Sequence, residues 1–323
     1  MPFYRSILAD KAKDYSETYT TTINGQIQKG SCGAMFHLND TFNSPITVGN
    51  NVNTIAYMCE LCSSFNSAVT IPTSVTNCRG AFRLCNNLNR DVALPMSAVD
   101  CVSVFDMCNN LNRNIVIPDN AVNCQRMFSY CNSLRQPIAM KNNVEDCTWM
   151  FSGCGALNNN IQISSNAKNC YMMFSFCNVF NQNIYIPDKV TNGSYMFMSC
   201  SNLNQKIAIP SSMQDCSYMF QSCSNLNQNF VIPSSVTNCV CMFMYCNKIS
   251  GKEIRINGTP LCTRLVMGKG SGRINIYCND LSILTGTAAA NSITGSAIVW
   301  STMANGYYNA TQNLFLYNNY SGT

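Results

Sequence analysis

Cysteines return every 23 residues along most of this chain, in two separate columns. The first column runs Cys78, Cys101, Cys124, Cys147, Cys170, Cys216, Cys239 and Cys262, with Gly193 at its one missing step. The second runs without a gap from Cys62 through Cys85, Cys108, Cys131, Cys154, Cys177, Cys200 and Cys223 to Cys246. A fixed period of this length is the signature of a solenoid, in which each repeat buries its apolar side only against its neighbours. This spacing therefore excludes most folds before any other residue is considered.

Within a repeat, Asn or Asp precedes the first-column cysteines from Cys78 to Cys239, as at Asn77, Asp100, Asn123 and Asp215. Such residues cap helices, because the side-chain oxygen accepts a free backbone N–H. The following segment, for example Cys216 to Cys223, places apolar groups at i, i+3, i+4 and i+7, which predicts a short helix. Its aromatic column is Phe82, Phe105, Phe128, Phe151, Phe174, Phe197, Phe220 and Phe243. After the second cysteine stand Asn66, Asn89, Asn112, Asn158, Asn181, Asn204 and Asn227. Stacked asparagines are expected to bond the backbone of the next coil, which burial would otherwise leave unsatisfied. An apolar–x–apolar–Pro stretch such as Ile115-Val116-Ile117-Pro118 then predicts a strand with its middle residue outward.

The string I-x-I-P-x-x-V-x-N-C-x-x-M-F-x-x-C-x-x-L-N resembles the BspA-type leucine-rich repeat, from about Cys32 to about Cys262. The chain departs from that pattern in carrying Met-Phe for Ala-Phe, and cysteine where an aliphatic residue is usual. The expected fold class is an α/β solenoid, a leucine-rich-repeat-like coil of parallel strands and short helices in about ten 23-residue repeats, with caps at both ends. Residues 1–30 form an N-terminal cap or attachment segment, residues 31–262 the solenoid, and residues 263–323 irregular repeats and a C-terminal cap. In the first segment, residues 6–15 have helical spacing, and Asn24-Gly25 suits a hairpin turn. Strands are expected at Ile254–Ile256, Ile274–Ile276, Ala297–Trp300 and Leu314–Tyr317.

Of the 323 residues, 46% are hydrophobic and 11% charged, which suits a well-buried array rather than a disordered chain. A net charge of +5 without a basic run argues against nucleic acid or an anionic membrane. No apolar stretch reaches the ~20 residues of a membrane span, so no insertion is expected. Met1 to Lys11 lacks the apolar core of a signal peptide. Coils in one cysteine column should stand about 5 Å apart with parallel Cβ vectors, so no disulfide is expected within either column. The cysteines read as small buried hydrophobes folded in a reducing compartment. Their spacing is not that of a zinc site, and no metal or other cofactor is expected. His37 is the one histidine, with no carboxylate at a telling distance in sequence. No catalytic residue is assigned, and a non-enzyme is expected.

What remains is a face. Outward strand positions include Thr70, Ala93, Val116, Ala139, Gln162, Tyr185, Ala208 and Val231, flanked by polar rows. The candidate ligand-binding residues are Arg90, Arg113, Gln162, Gln182, Tyr185, Gln205 and Gln228, while the Asn66 to Asn227 column is structural. Amide-rich, nearly uncharged surface suits a protein or glycan partner on a host surface. The family resemblance implies adhesion. Together with the missing signal and the thiols, it leads to a recognition protein on a phage tail or other virion, anchored through residues 1–30. A bacterial surface adhesin without its export signal, an intracellular scaffold and a homo-oligomer remain open alternatives.

Overall fold

In the computed structural model, the described residues are 31–249, 251–262, 265, 274–278, 301–303, 306–309 and 314–317. The chain divides into two compact units, Met1–Ser164 and Ser165–Thr323. The expected helix at 6–15, the hairpin at Asn24-Gly25 and the strand at Ala297–Trp300 lie outside the described residues.

The first unit shows how a repeat is built. Asn77, Asp100, Asn123 and Asp146 each accept the backbone N–H two residues on, at 2.9–3.1 Å. What they cap is not a helix. Among the described residues no helix forms; the cysteine segments are runs of tight turns. From Ile55 on, alternate N–H groups point to the next coil: Ile55 to Asn77, Tyr57 to Arg79, Cys59 to Ala81 and Leu61 to Arg83, at 2.7–2.9 Å. The N–H groups between them close turns within the coil: Met58 to Ile55, Glu60 to Tyr57 and Cys62 to Cys59. Two residues per turn segment take a left-handed backbone, for example Tyr57 at φ 58° and Leu61 at φ 64°. A helix would have kept every N–H inside the coil.

Coil spacing explains the difference. Successive rings of Phe82, Phe105, Phe128 and Phe151 stack face to face with centroids 5.5–5.8 Å apart. Side-by-side helices need 8–10 Å between axes, so helices cannot stack at this pitch. Each buried phenyl contributes roughly 1.5–3 kcal/mol by leaving water. Phe65 completes the pile from another position, 5.9 Å from Phe82, because Cys59 occupies the aromatic slot of its own coil.

Among the described residues, laddered strands are fewer than one per repeat. In the first unit β1 (Ile46–Thr47) pairs in parallel with β2 (Val69–Thr70). Farther along, Ile115 and Ile117 are buried and Val116 exposed, as strand alternation requires, but the parallel bridges between coils sit in the capping column, Asn77 to Asp100 to Asn123 to Asp146.

The second unit repeats the turn chemistry, with Phe174, Phe197, Phe220 and Phe243 stacked at 5.5–5.7 Å. It also carries a sheet. β3 (Phe230–Ile232), β4 (Lys252–Ile256), β5 (Ile274–Cys278), β6 (Ser301–Met303), β7 (Gly306–Asn309) and β8 (Leu314–Tyr317) are ordered β3-β4-β5-β8-β7-β6. The first four in that order are parallel; β8, β7 and β6 are antiparallel. Three expected strands fall inside β4, β5 and β8.

Candidate functional site

Asparagines and thiols fix where each surface group stands. In the first unit Asn43, Asn66, Asn89 and Asn112 each accept, through Oδ1, the backbone N–H of the matching residue one coil on, at 2.8–3.1 Å. Asn181 and Asn204 do the same in the second unit. The side-chain oxygen thereby meets a donor that the neighbouring carbonyls do not reach.

All 21 cysteines are buried free thiols. They are more than small hydrophobes. In the first unit each second-column thiol donates to a carbonyl of the preceding coil: Cys62 to Phe36, Cys85 to Cys59, Cys108 to Phe82, Cys131 to Phe105 and Cys154 to Phe128, at 2.9–3.1 Å. Cys200, Cys223 and Cys246 repeat this in the second unit. The same carbonyls also close the in-coil turn, so the sulfur fills their second lone pair. Burial pushes Cys85, Cys108 and Cys131 toward their protonated, donating form, and in the first column it raises Cys78 to about 12, with the Asp100 charge adding to the effect.

The expected binding residues lie on the surface, but several are already engaged. Arg90, Arg113 and Gln162 are exposed in the first unit, and the Arg113 guanidinium donates to the Asn89 carbonyl at 2.8 Å. In the second unit Gln182, Gln205 and Gln228 are half-buried. Gln205 donates to Asn181 Oδ1, and Gln228 Oε1 accepts the Ile207 N–H in place of a strand partner. These side chains tie coils together. Tyr185 differs: it is 70% exposed, with its hydroxyl donating to Asp188 at 3.2 Å. The Asp188 charge holds that phenol above its ordinary range. Val231, half-exposed, stands on the same outward row.

One cluster escaped the sequence reading. His37, Glu60, Arg83 and Asp106 occupy the same position of four successive repeats. His37 Nδ1 lies 3.0 Å from Glu60, and Arg83 bridges Glu60 at 2.5 Å and Asp106 at 3.2 Å. The histidine thus has a carboxylate partner, one repeat away rather than nearby in sequence. Asp106 is almost fully buried, and burial raises its carboxyl while Arg83 opposes the shift. The 23-residue offset was the available signal, had polar positions been aligned as the cysteines were. Among the described residues no group of three or more His, Cys, Asp or Glu could hold a metal ion.

Comparison with known proteins places this geometry. The chain is similar in structure to a leucine-rich repeat protein from Bacteroides ovatus, with a TM-score of 0.51 and 20% identity over 76% of this chain and 80% of that one. A leucine rich cell surface protein from Faecalibacterium prausnitzii matches with a TM-score of 0.42 and 17% identity over 83% and 86%. No curated protein matches. The profile of the family described as "Mycoplasma protein of unknown function, DUF285" matches four overlapping stretches, residues 28–116, 72–164, 122–232 and 164–255. Tiled by that profile and built of BspA-type leucine-rich repeats, the chain belongs to the DUF285 family.

Proposed function

We propose that this chain is a non-catalytic recognition protein that binds a protein or glycan on another cell's surface. The observation that carries the reading is the outward row of the second unit. Tyr185 is 70% exposed and Val231 51% exposed on a row that also carries Ala208 and, in register with Val231, Arg255. An exposed aromatic with an apolar body and a polar edge is the kind of group that anchors recognition surfaces. The neighbouring Gln205 and Gln228 are spent on coil-to-coil bonds, so they hold the surface flat rather than reach for a ligand. Display on a bacterial surface fits a family defined on bacterial sequences.

A second reading, display on a virion tail assembled inside a cell, draws on the second-column thiols. Their S–H groups serve as hydrogen-bond donors, which requires that they fold reduced. Residues 1–30 would be the anchor in that case.

Labelled full-length chain, incubated with bacterial and animal cells, tests the reading. Binding is expected to fall at least tenfold in Tyr185→Ala and to disappear after protease or glycosidase treatment of the cells. Binding indifferent to both would overturn it. Antibody labelling of producing cells and of released particles then separates the two display sites.

A further inference from the structure

Cys239 and Cys262 hold a different geometry from their column. Their sulfurs lie 2.7 Å apart, both fully buried in the second unit. Elsewhere in that unit a first-column thiol, Cys216, turns to the Asn238 carbonyl at 3.5 Å and the Met242 sulfur at 3.6 Å. The second-column thiols Cys200, Cys223 and Cys246 are committed to carbonyls.

The backbone changes in the connection that leads to this pair. β3 and β4 pair Ile232 with Ile256, while the capping column pairs Asn238 with Leu261. The connection between these points is therefore one residue shorter in the later coil. It runs tight against the earlier one: the Asn257 N–H bonds the Ile232 carbonyl at 3.0 Å, and a Cβ on Gly258 would fall 3.0 Å from both Cα and O of Ser234. At the cysteines the 23-residue register is restored, with the Cys239 N–H bonding the Leu261 carbonyl at 2.9 Å as Cys216 bonds Asn238, so the 2.7 Å between the sulfurs is what sets this pair apart.

We propose that Cys239 and Cys262 are an oxidisable pair, converted by a peroxide-class oxidant into a disulfide that staples two neighbouring coils of the second unit. One sulfur attacks a peroxide oxygen, the O–O bond breaks, and the departing hydroxide takes a proton as the sulfenic acid forms. The second sulfur then attacks the first, the S–S bond forms, and the S–O bond breaks with release of water. Two thiols and one hydrogen peroxide give one disulfide and two waters. Burial holds the Cys239 thiol well above its ordinary range, so the first step accelerates as pH rises from neutral to mildly alkaline.

The test uses full-length chain purified in reductant, desalted and exposed to hydrogen peroxide in native buffer. Peptide mapping without reduction is expected to show the Cys239–Cys262 link first and as the dominant crosslink. The urea midpoint should rise on oxidation and return with dithiothreitol, because the link constrains the unfolded chain. In Cys262→Ala both the link and the midpoint shift should vanish. A dominant link between other cysteines overturns the proposal. So does a native chain that keeps all 21 thiols under peroxide that oxidises the urea-unfolded chain. The mapping on unaltered protein decides the question even if the variant folds poorly.

Discussion

Restoring the missing cysteine of the first column should harm the protein. At Gly193 an added Cβ would lie 2.8 Å from Met213 Cε, 3.1 Å from its Sδ and 3.5 Å from Met219 Cε. Both methionines are fully buried and have nowhere to retreat. The positions equivalent to Met213 hold Val75, Ala98, Ala121, Val144, Ala167, Val190 and Val236, all shorter. The methionine thus fills the volume that a cysteine side chain occupies in the other coils. Overpacking a core costs about 1–3 kcal/mol, and replacing glycine returns roughly 0.4–1 kcal/mol by restricting the unfolded chain. Gly193→Cys should therefore lose about 1–2 kcal/mol net. Met213→Val should lose a similar amount, since it removes about one or two methylenes of burial at ~0.8 kcal/mol each and leaves a void. The double variant should recover most of both losses, with a coupling energy of roughly 1–3 kcal/mol. Urea unfolding followed by circular dichroism under reductant measures all four corners of the cycle. Strict additivity, or a Gly193→Cys variant more stable than its parent, would refute the exchange of volume between these positions.

Gly153 has φ +74°, and a Cβ there would meet the Tyr130 ring at 2.5 Å. Gly153→Ala should lower the urea midpoint, and adding Tyr130→Ala should relieve the clash but leave about 1 kcal/mol of backbone strain. For the asparagine ladder, Asn89→Ala strands the Asn112 N–H and should cost about 1–2 kcal/mol, while Asn89→Asp keeps the acceptor and should cost less; equal losses would deny the ladder its role. Asp106 supplies a pH dependence. Its folded carboxyl is raised by burial, so the native state holds its proton to higher pH than the unfolded chain does. That contribution to stability is complete below the ordinary carboxyl range, near pH 4, and is lost as pH rises through the folded value. Relative to Asp106→Asn, the parent should lose ground between about pH 4 and the folded value; urea midpoints across that window check the sign, and a relative gain there would contradict it.

The repeating columns were legible because burial imposes them. Phe105, Cys108 and Asn112 each recur at a fixed offset, and a stack of identical coils has one place for each. The turn segment was not legible as a turn. Apolar groups at i, i+3, i+4 and i+7 line one side of a helix and also the inner side of a run of tight turns. The two differ at the left-handed positions, where glycine would have announced the backbone. Gly80 and Gly153 do so, but Tyr57, Leu61, Met107, Trp149 and Tyr195 stand at the same places and conceal it. The thiol donors were hidden because a buried cysteine looks the same in sequence whether it packs or bonds. On the candidate face, rows read as free polar groups proved partly engaged, since sequence locates a side chain such as Gln228 without saying what it touches.

The sharing of backbone N–H groups between a coil and the next one has a mechanical side. In the first unit, Ile55, Tyr57, Cys59 and Leu61 hold the following coil by bonds directed along the stacking axis. A load spread across a coil strains these bonds together. A load applied through the polypeptide itself reaches them one after another, as in opening a zip. Each detached 23-residue turn then pays out on the order of 70 Å of extended chain. Fixed at one end and tugged at the other, either unit would lengthen in even increments and dissipate force with each one, behaving as a shock absorber between whatever its two ends hold.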